Sequence, residues 1–323
     1  MRLALAALCL AALPAVADVQ RTIDTHILPG HATLAEETAK LAEAAQTDCT
    51  PASLRPAFHT AYDAWISISH IQFGPIEDQA LHLAMSFWPD PKDSTGKALA
   101  RLTTATDPIV NDAQSFADVS VAAQGFTALE RMLYDPQPDA AYACQLTQAI
   151  ATGLARKAGS IQVDWPAFAT LMIMAGEDGN TRFQTPVEAQ RALYTSLSTG
   201  LEFLHDQRLG RPLGTFDRPR PRRAEARRSD RSLRHIQLQL AALETLATTM
   251  TDTDLTATKA AFATARTRAD ALDDPALQGV ADPAQRLKVE VLQQAVRAIQ
   301  VAVIDDIGTR LGITAGFNSL DGD

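Results

Sequence analysis

The sequence predicts an all-α protein. Alanine, leucine, glutamine and arginine dominate it, and these residues favour helices. The alternation of Val, Ile and Thr with polar residues that marks a half-buried strand is almost absent. Apolar residues instead recur at helical spacing, as in the stripe Leu233, Ile236, Leu240 and Leu243. These observations predict two packed antiparallel helical bundles.

The N-terminus predicts a cleavable secretory signal at residues 1–17. "MRLALAALCLAALPAVA" combines one arginine, a short apolar run and Ala15-Val16-Ala17, so cleavage is expected between Ala17 and Asp18. The run is too short for a membrane span, and no other apolar run approaches about 20 residues. Cys9 follows Leu8 rather than a small residue, which argues against a lipid anchor. We therefore expect a periplasmic protein without a transmembrane span.

The first mature helices follow from periodicity and from the residues that interrupt it. "HATLAEETAKLAEAA" predicts an amphipathic helix that begins near Pro29-Gly30. "PASLRPAFHTAYDAWISISHIQ" predicts a second helix, which Gly74-Pro75 ends. The segment 73–96 is irregular because it holds several prolines and glycines, yet it is apolar enough to pack against the bundle.

Later helices are separated by breaks near residues 135–139, 176–184, 210–223 and 273–282. The predicted helices cover residues 114–133, 140–161, 186–209, 229–250, 254–272 and 283–311. We expect a single domain over residues 18–323 with lobes at roughly 18–210 and 224–323. Residues 211–223, rich in arginine and proline, would connect the lobes as an exposed strap.

Two cysteines, Cys49 and Cys144, remain after removal of the signal. In an oxidising compartment such a pair predicts a disulfide, which would contribute roughly 4–5 kcal/mol in the chain-entropy model. Two buried free thiols are the alternative. So few cysteines exclude a thiolate metal site and an iron–sulfur cluster.

The charge balance argues against nucleic-acid binding. The chain has 29 Lys and Arg against 38 Asp and Glu, and loss of Arg2 with the signal leaves 28 − 38 = −10. One local exception is the stretch 218–235, which carries eight arginines. Its first part, interleaved with prolines, could make weak contact with an anionic membrane surface.

"AAQGFTALERMLYD", residues 122–135, is the first candidate for a functional site. Thr127 and Glu130 are three residues apart and share a helical face. Asp63 and His70 lie two turns apart on the preceding helix and also share a face. Glu130, Asp63 and His70 are therefore candidate metal ligands, with iron or another divalent metal as the possible ion. The alternatives are a solvated face for Asp63 and a buried pairing of Glu130 with an arginine.

The second candidate is the arginine cluster "ARRSDRSLRH". Arg227, Arg228 and Arg231, with Ser229 and Ser232 at the start of a helix, could bind an anion, because guanidinium groups and helix N-termini both favour one. In the alternative, these arginines neutralise Glu130 and the acids of the C-terminal tail, Asp321 and Asp323.

Several stretches in order along the mature chain resemble the imelysin family of periplasmic helical proteins. They include "AYDAWISISHIQFGP", "FWPDPK", "QGFTALERMLY", "LHDQRLGRPLG", "RRSDRSLRHIQLQLAAL" and "GFNSLDGD". The family motif G-x-H-x-x-E falls on Gly125, Thr127 and Glu130, so threonine replaces the motif histidine. The resemblance implies that Gly125 and Thr127 belong to the ligand-binding site. The pattern is more similar to the subgroup of imelysin-like predicted periplasmic lipoproteins, although a lipobox is absent.

The resemblance implies two helical bundles about a pseudo-twofold axis, with a candidate site between them. It also implies a role in iron acquisition, with iron-transport or haem-peroxidase envelope proteins as possible partners. The family is named for a proposed metallopeptidase, but a threonine hydroxyl is a poor ligand for zinc or iron, so peptidase activity is not expected here. We expect a non-catalytic protein that binds a metal or an anionic ligand, including haem propionates. A degenerate peptidase and an envelope interaction module are the alternatives.

Overall fold

The computed structural model describes residues 14–312, except for the side chains of residues 14–17 and 78–80. Most of the predicted signal and the tail acids Asp321 and Asp323 lie outside the described residues. Ala17 and Asp18 fall within the first helix. The all-α prediction is confirmed, since helices dominate the described chain and it contains no strand.

The α-helices, in chain order, are α1 Pro14–Thr22, α2 Leu28–Thr47, α3 Pro51–Ile68, α4 Leu81–Met85, α5 Ser94–Ala105, α6 Ala113–Ala117, α7 Gly125–Tyr134, α8 Ala140–Ile173, α9 Pro186–Glu202, α10 Gly210–Leu213, α11 Ser232–Thr249, α12 Thr256–Asp270 and α13 Pro283–Asp306. Two π-helical segments, Ile23–Ile27 and Phe203–Leu209, continue α1 and α9 into the next helices. None of the helices within residues 14–312 is long and apolar enough to cross a membrane.

The first group of helices packs α2 against α3 and α8, with α7 across α3 and α8. Phe58, Trp65, Phe126 and Trp165 fill its core. Cys49 and Cys144 form a disulfide that joins the α2–α3 turn to α8, with Cα atoms 5.3 Å apart. The predicted cysteine pairing is thus confirmed.

The second group consists of α9, α11, α12 and α13. The predicted stripe on α11 is buried, and Ile236, Leu240 and Leu243 are fully covered. Helix α11 also packs on α3, so the two groups are in direct contact, and α1 packs on α8, α9 and α11. The proposed division into lobes at residues 211–223 stays a prediction, and α9, which precedes it, packs on α11 and α13.

One predicted helix, residues 114–133, is instead three short pieces: α6, a 3₁₀ turn at Val121–Ala123, and α7. Gly125 has φ +75° at the start of α7, and a Cβ there would lie 2.4 Å from the carbonyl oxygen of Met85. Only glycine allows this close approach of two backbones. The break therefore places the N-terminus of α7 directly against the end of α4.

Candidate functional site

Helix α7 brings the predicted motif residues into the protein interior. Its N-terminus is fixed by Gln124, whose side-chain amide donates to the carbonyl oxygens of Ala117 and Val119. The close approach of Gly125 to α4 then sets Thr127 beside Ser86. Gly125 thus acts through its backbone, as a positioning residue.

Thr127 belongs to a chain of hydroxyl groups. Its Oγ1 lies 3.1 Å from the Ser86 Oγ, which lies 3.3 Å from the hydroxyl of Tyr62. The ring of Tyr62 stacks on Phe126 with centroids 4.6 Å apart. Where the family motif has an imidazole, this protein has hydroxyl groups that can donate or accept hydrogen bonds.

Glu130 is buried, with 3% of its surface exposed. Its Oε1 accepts hydrogen bonds from the Ser229 backbone N–H at 3.0 Å and from the Ser229 hydroxyl at 2.7 Å. Burial raises the pKa of Glu130, and the bonds from Ser229 oppose that rise. Among residues 14–312, the alternative ion pair of Glu130 with an arginine is not found. The charge of Arg228 also lowers the pKa of Glu130, but its guanidinium pairs with Asp135 at an N–O distance of 2.8 Å.

A cavity of about 130 Å³ lies beside Thr127 and Glu130. Its lining is cationic on balance, since three carboxylates, those of Asp90, Glu130 and Glu225, stand against six arginines: Arg131, Arg211, Arg222, Arg223, Arg227 and Arg228. Arg131 and Arg228 are paired with Asp93 and Asp135. The other four make no ion pair with any described carboxylate.

Two of these four arginines show the cost of crowding like charges. Burial lowers the pKa of Arg211, and the guanidinium of Arg223 lowers it further. Burial also lowers the pKa of Arg227, with added repulsion from Arg228 and Arg222. A bound anion would relieve this repulsion, and planar guanidinium groups match carboxylate and phosphate oxygens in pairs.

A buried charged network forms the base of this region. Arg208 donates from Nε to the Glu225 carboxylate at 2.6 Å and also bonds Gln239. His235 Nδ1 lies 3.0 Å from the same carboxylate. Burial opposes ionisation of Glu225, yet Arg208 and His235 hold its pKa at about 2. Glu225 lines the cavity and so joins this network to it.

Four site residues were not predicted from the sequence: Arg208, Glu225, His235 and Gln239. Arg208 lies in the second π-helical segment, and Glu225 stands between two alanines in an arginine-rich stretch. The only hint of a buried role for Glu225 in the sequence is that this acidic residue lies between alanines within an arginine-rich stretch. The same pattern is also typical of an exposed loop.

The three predicted metal ligands have separate partners. Asp63 is ion-paired with Arg231 and Arg234. His70 is buried, with its Nε2 2.8 Å from the Nε2 of His26. Across residues 14–312 no three His, Cys, Asp or Glu side chains are placed to hold a metal ion.

Of the predicted anion ligands, Arg227 and Arg228 line the cavity, and Ser229 supports it by binding Glu130. Arg231 lies outside the cavity lining, in its pair with Asp63. The Ser232 hydroxyl donates to the backbone carbonyl of Glu225 and so holds the turn that precedes α11 and carries Glu225.

Comparison with known proteins agrees with the fold. An imelysin-like protein from Psychrobacter arcticum 273-4 superposes with a TM-score of 0.79 at 20% identity, covering 97% of this chain and 100% of that one. A protein from Parabacteroides distasonis ATCC 8503, named as a putative iron-regulated protein A precursor, superposes with a TM-score of 0.74 at 12% identity. The match covers 90% of this chain and 93% of that one. The comparison with curated proteins gave no match. The family model for imelysin matches residues 27–303, and the chain therefore belongs to the imelysin family.

Proposed function

We propose that this protein is an exported, non-catalytic component of iron acquisition that binds a small anionic ligand in the arginine-lined cavity. The observation that carries the proposal is the group of four arginines without acidic partners around Thr127 and Glu130. A cavity that concentrates unneutralised guanidinium groups favours anions and disfavours a bare metal cation.

The volume of the cavity limits the size of the ligand. About 130 Å³ is below the range of about 300–1,000 Å³ that encloses drug-sized molecules. This favours a compact oxyanion or a short polycarboxylate over a haem macrocycle. Each charge-assisted hydrogen bond from an arginine would add about 1.5–3 kcal/mol to binding if water is excluded.

The threonine at position 127 fits an anion site better than a metal site. A hydroxyl is a poor ligand for zinc or iron, but it donates well to a carboxylate or phosphate oxygen. In this proposal the arginines bind the anion, and iron is bound only as a complex with that anion, as cargo. In this proposal Arg222 and Arg227 contact the anion and Arg228 lines the cavity in its pair with Asp135, while Glu130, Ser229 and Ser232 hold the cavity in shape.

Two further features support a role in iron acquisition in the cell envelope. The sequence begins with a predicted secretory signal, which would place the mature protein in the periplasm. The structural neighbour from Parabacteroides distasonis is named as iron-regulated, and that name suggests the same context here. Envelope iron transporters or haem peroxidases are the proposed partners.

The proposal is tested by calorimetric titration of the mature protein with phosphate, oxalate, citrate and ferric citrate. We expect one-to-one binding of at least one of these, weakened at least 100-fold in Arg222→Gln/Arg227→Gln, since two charge-assisted hydrogen bonds are lost. The matched control Arg218→Gln/Arg220→Gln removes two arginines that do not line the cavity and should bind as the wild type does. Binding unaffected by the first variant, or reduced equally by both, would contradict the proposal.

A further inference from the structure

The strap, residues 211–223, differs in charge from the rest of the protein. It carries five arginines and one aspartate, a net charge of 5 − 1 = +4, whereas the whole chain has −9. The side chains of Arg218, Arg220, Arg222 and Arg223 are exposed, and none of them forms an ion pair with a described carboxylate. This surface is therefore an unneutralised basic patch on an acidic protein.

Phe216 lies at the tip of the strap with 73% of its surface exposed. Every other phenylalanine among the described residues is buried or half-buried. An exposed aromatic ring is unfavourable in water, and its position among arginines distinguishes it from the scattered exposed aliphatic residues elsewhere.

The backbone of the strap holds Phe216 in this position. Gly214 has φ +56°, and a Cβ there would lie 2.4 Å from the Arg218 carbonyl oxygen. The Arg218 N–H donates to the Thr215 carbonyl at 3.1 Å, which closes a tight turn around Phe216.

A second set of contacts ties this turn to the helical body. The buried Arg286 of α13 donates to the Leu213 carbonyl at 2.6 Å, and the Arg220 N–H donates to that of Pro212 at 2.8 Å. The strap is thus anchored at its base, and the outward placement of Phe216 is built into the structure.

We propose that the tip of the strap docks on an anionic phospholipid surface. Exposed arginines attract anionic headgroups, and an aromatic ring inserts at the boundary between headgroups and acyl chains. The Debye length is about 8–10 Å at moderate salt, so the strap would act on the membrane while the distant acidic surface is screened. The overall negative charge would then favour an orientation in which the basic strap faces the lipid.

This contact is separable from anion binding in the cavity. Phe216, Arg218 and Arg220 do not line the cavity, so variants at these positions leave its arginines in place. Failure of one proposal therefore leaves the other standing.

The test is co-sedimentation of the mature protein with vesicles of phosphatidylglycerol and phosphatidylcholine in a 1:2 ratio, compared with phosphatidylcholine alone. We expect binding to the anionic vesicles that falls with rising salt. Arg218→Gln/Arg220→Gln should weaken it by about 25-fold, since each arginine contributes roughly fivefold near such a surface. Phe216→Ser should weaken it by roughly tenfold.

Matched controls come from the same protein. Arg101→Gln/Arg156→Gln removes two exposed arginines, one on α5 and one on α8, and Val163→Ser removes an apolar side chain that is 76% exposed. Both should bind vesicles as the wild type does. The proposal is overturned if the wild type does not bind the anionic vesicles, as expected if the strap serves a protein partner. Equal weakening by the control and strap variants, or equal binding to both vesicle types, would also overturn it.

Discussion

The buried pair Arg208–Glu225 should be a major determinant of stability, and Glu225→Gln tests this. Arg208 and Glu225 are 4% and 5% exposed as side chains, and the substitution would leave the guanidinium buried without a counter-charge. Breaking such a pair costs about 3–5 kcal/mol. The ion pair also holds the pKa of Glu225 at about 2, well below its ordinary value, which agrees in direction with this cost.

The assay is urea unfolding followed by far-ultraviolet circular dichroism at pH 7, with Glu43→Gln as an exposed control. The depressed pKa means that this stabilisation is present above about pH 4.5 and is lost as the pH falls toward 2. Wild type should therefore lose stability across that window, and the variant should lose less. The double variant Arg208→Met/Glu225→Met should recover part of the loss, because an apolar pair leaves no buried charge. A Glu225→Gln protein within 1 kcal/mol of wild type would refute this reasoning.

The remaining predictions concern contacts near the cavity and the core. Glu130→Gln should lower the free energy of unfolding by about 1 kcal/mol, because the partner of Glu130 is Ser229 and not a guanidinium. Ser229→Ala should lower it by about 1–3 kcal/mol. A loss above about 3 kcal/mol in Glu130→Gln would instead indicate an arginine partner. Burial, and then the charge of His26, lowers the pKa of His31 to about 3. Between pH 6.5 and 3 the unfolded chain therefore binds a proton at His31 that the folded protein does not, so the free energy of unfolding decreases as the pH is lowered. His31→Phe should reduce the stability lost between pH 7 and pH 5 by roughly 2 kcal/mol in urea unfolding, and an unchanged loss would contradict the burial argument.

The sequence was sufficient for features that depend on local pattern. Spacing and composition predict the apolar stripe on α11, the helical bundles and the Cys49–Cys144 disulfide. The structure confirms the stripe and the disulfide. The break at Gly125 was missed, because the surrounding residues favour a helix and the positive φ is required by contact with Met85, which is distant in sequence. Helix α8 likewise extends to Ile173, past Pro166, where the prediction ended it at residue 161.

The site itself was only partly predictable. Arg227 and Arg228 were predicted from a local cluster of like charges, which remains visible in the sequence wherever the cluster lies in the fold. Glu225 could not be assigned a buried role, because it lies in a turn and only the fold brings it to Arg208 in the π-helical segment Phe203–Leu209. Pairings of this kind depend on tertiary packing, to which composition and periodicity are insensitive.

The central claim is that an anion binds among the unpaired arginines beside Thr127. The most direct measurement is a crystal structure of the mature protein grown with the tightest-binding anion from the titrations. We predict density for that anion within hydrogen-bond distance of the Arg222 and Arg227 guanidinium groups. An anion bound elsewhere, with the cavity holding only water, would contradict the account.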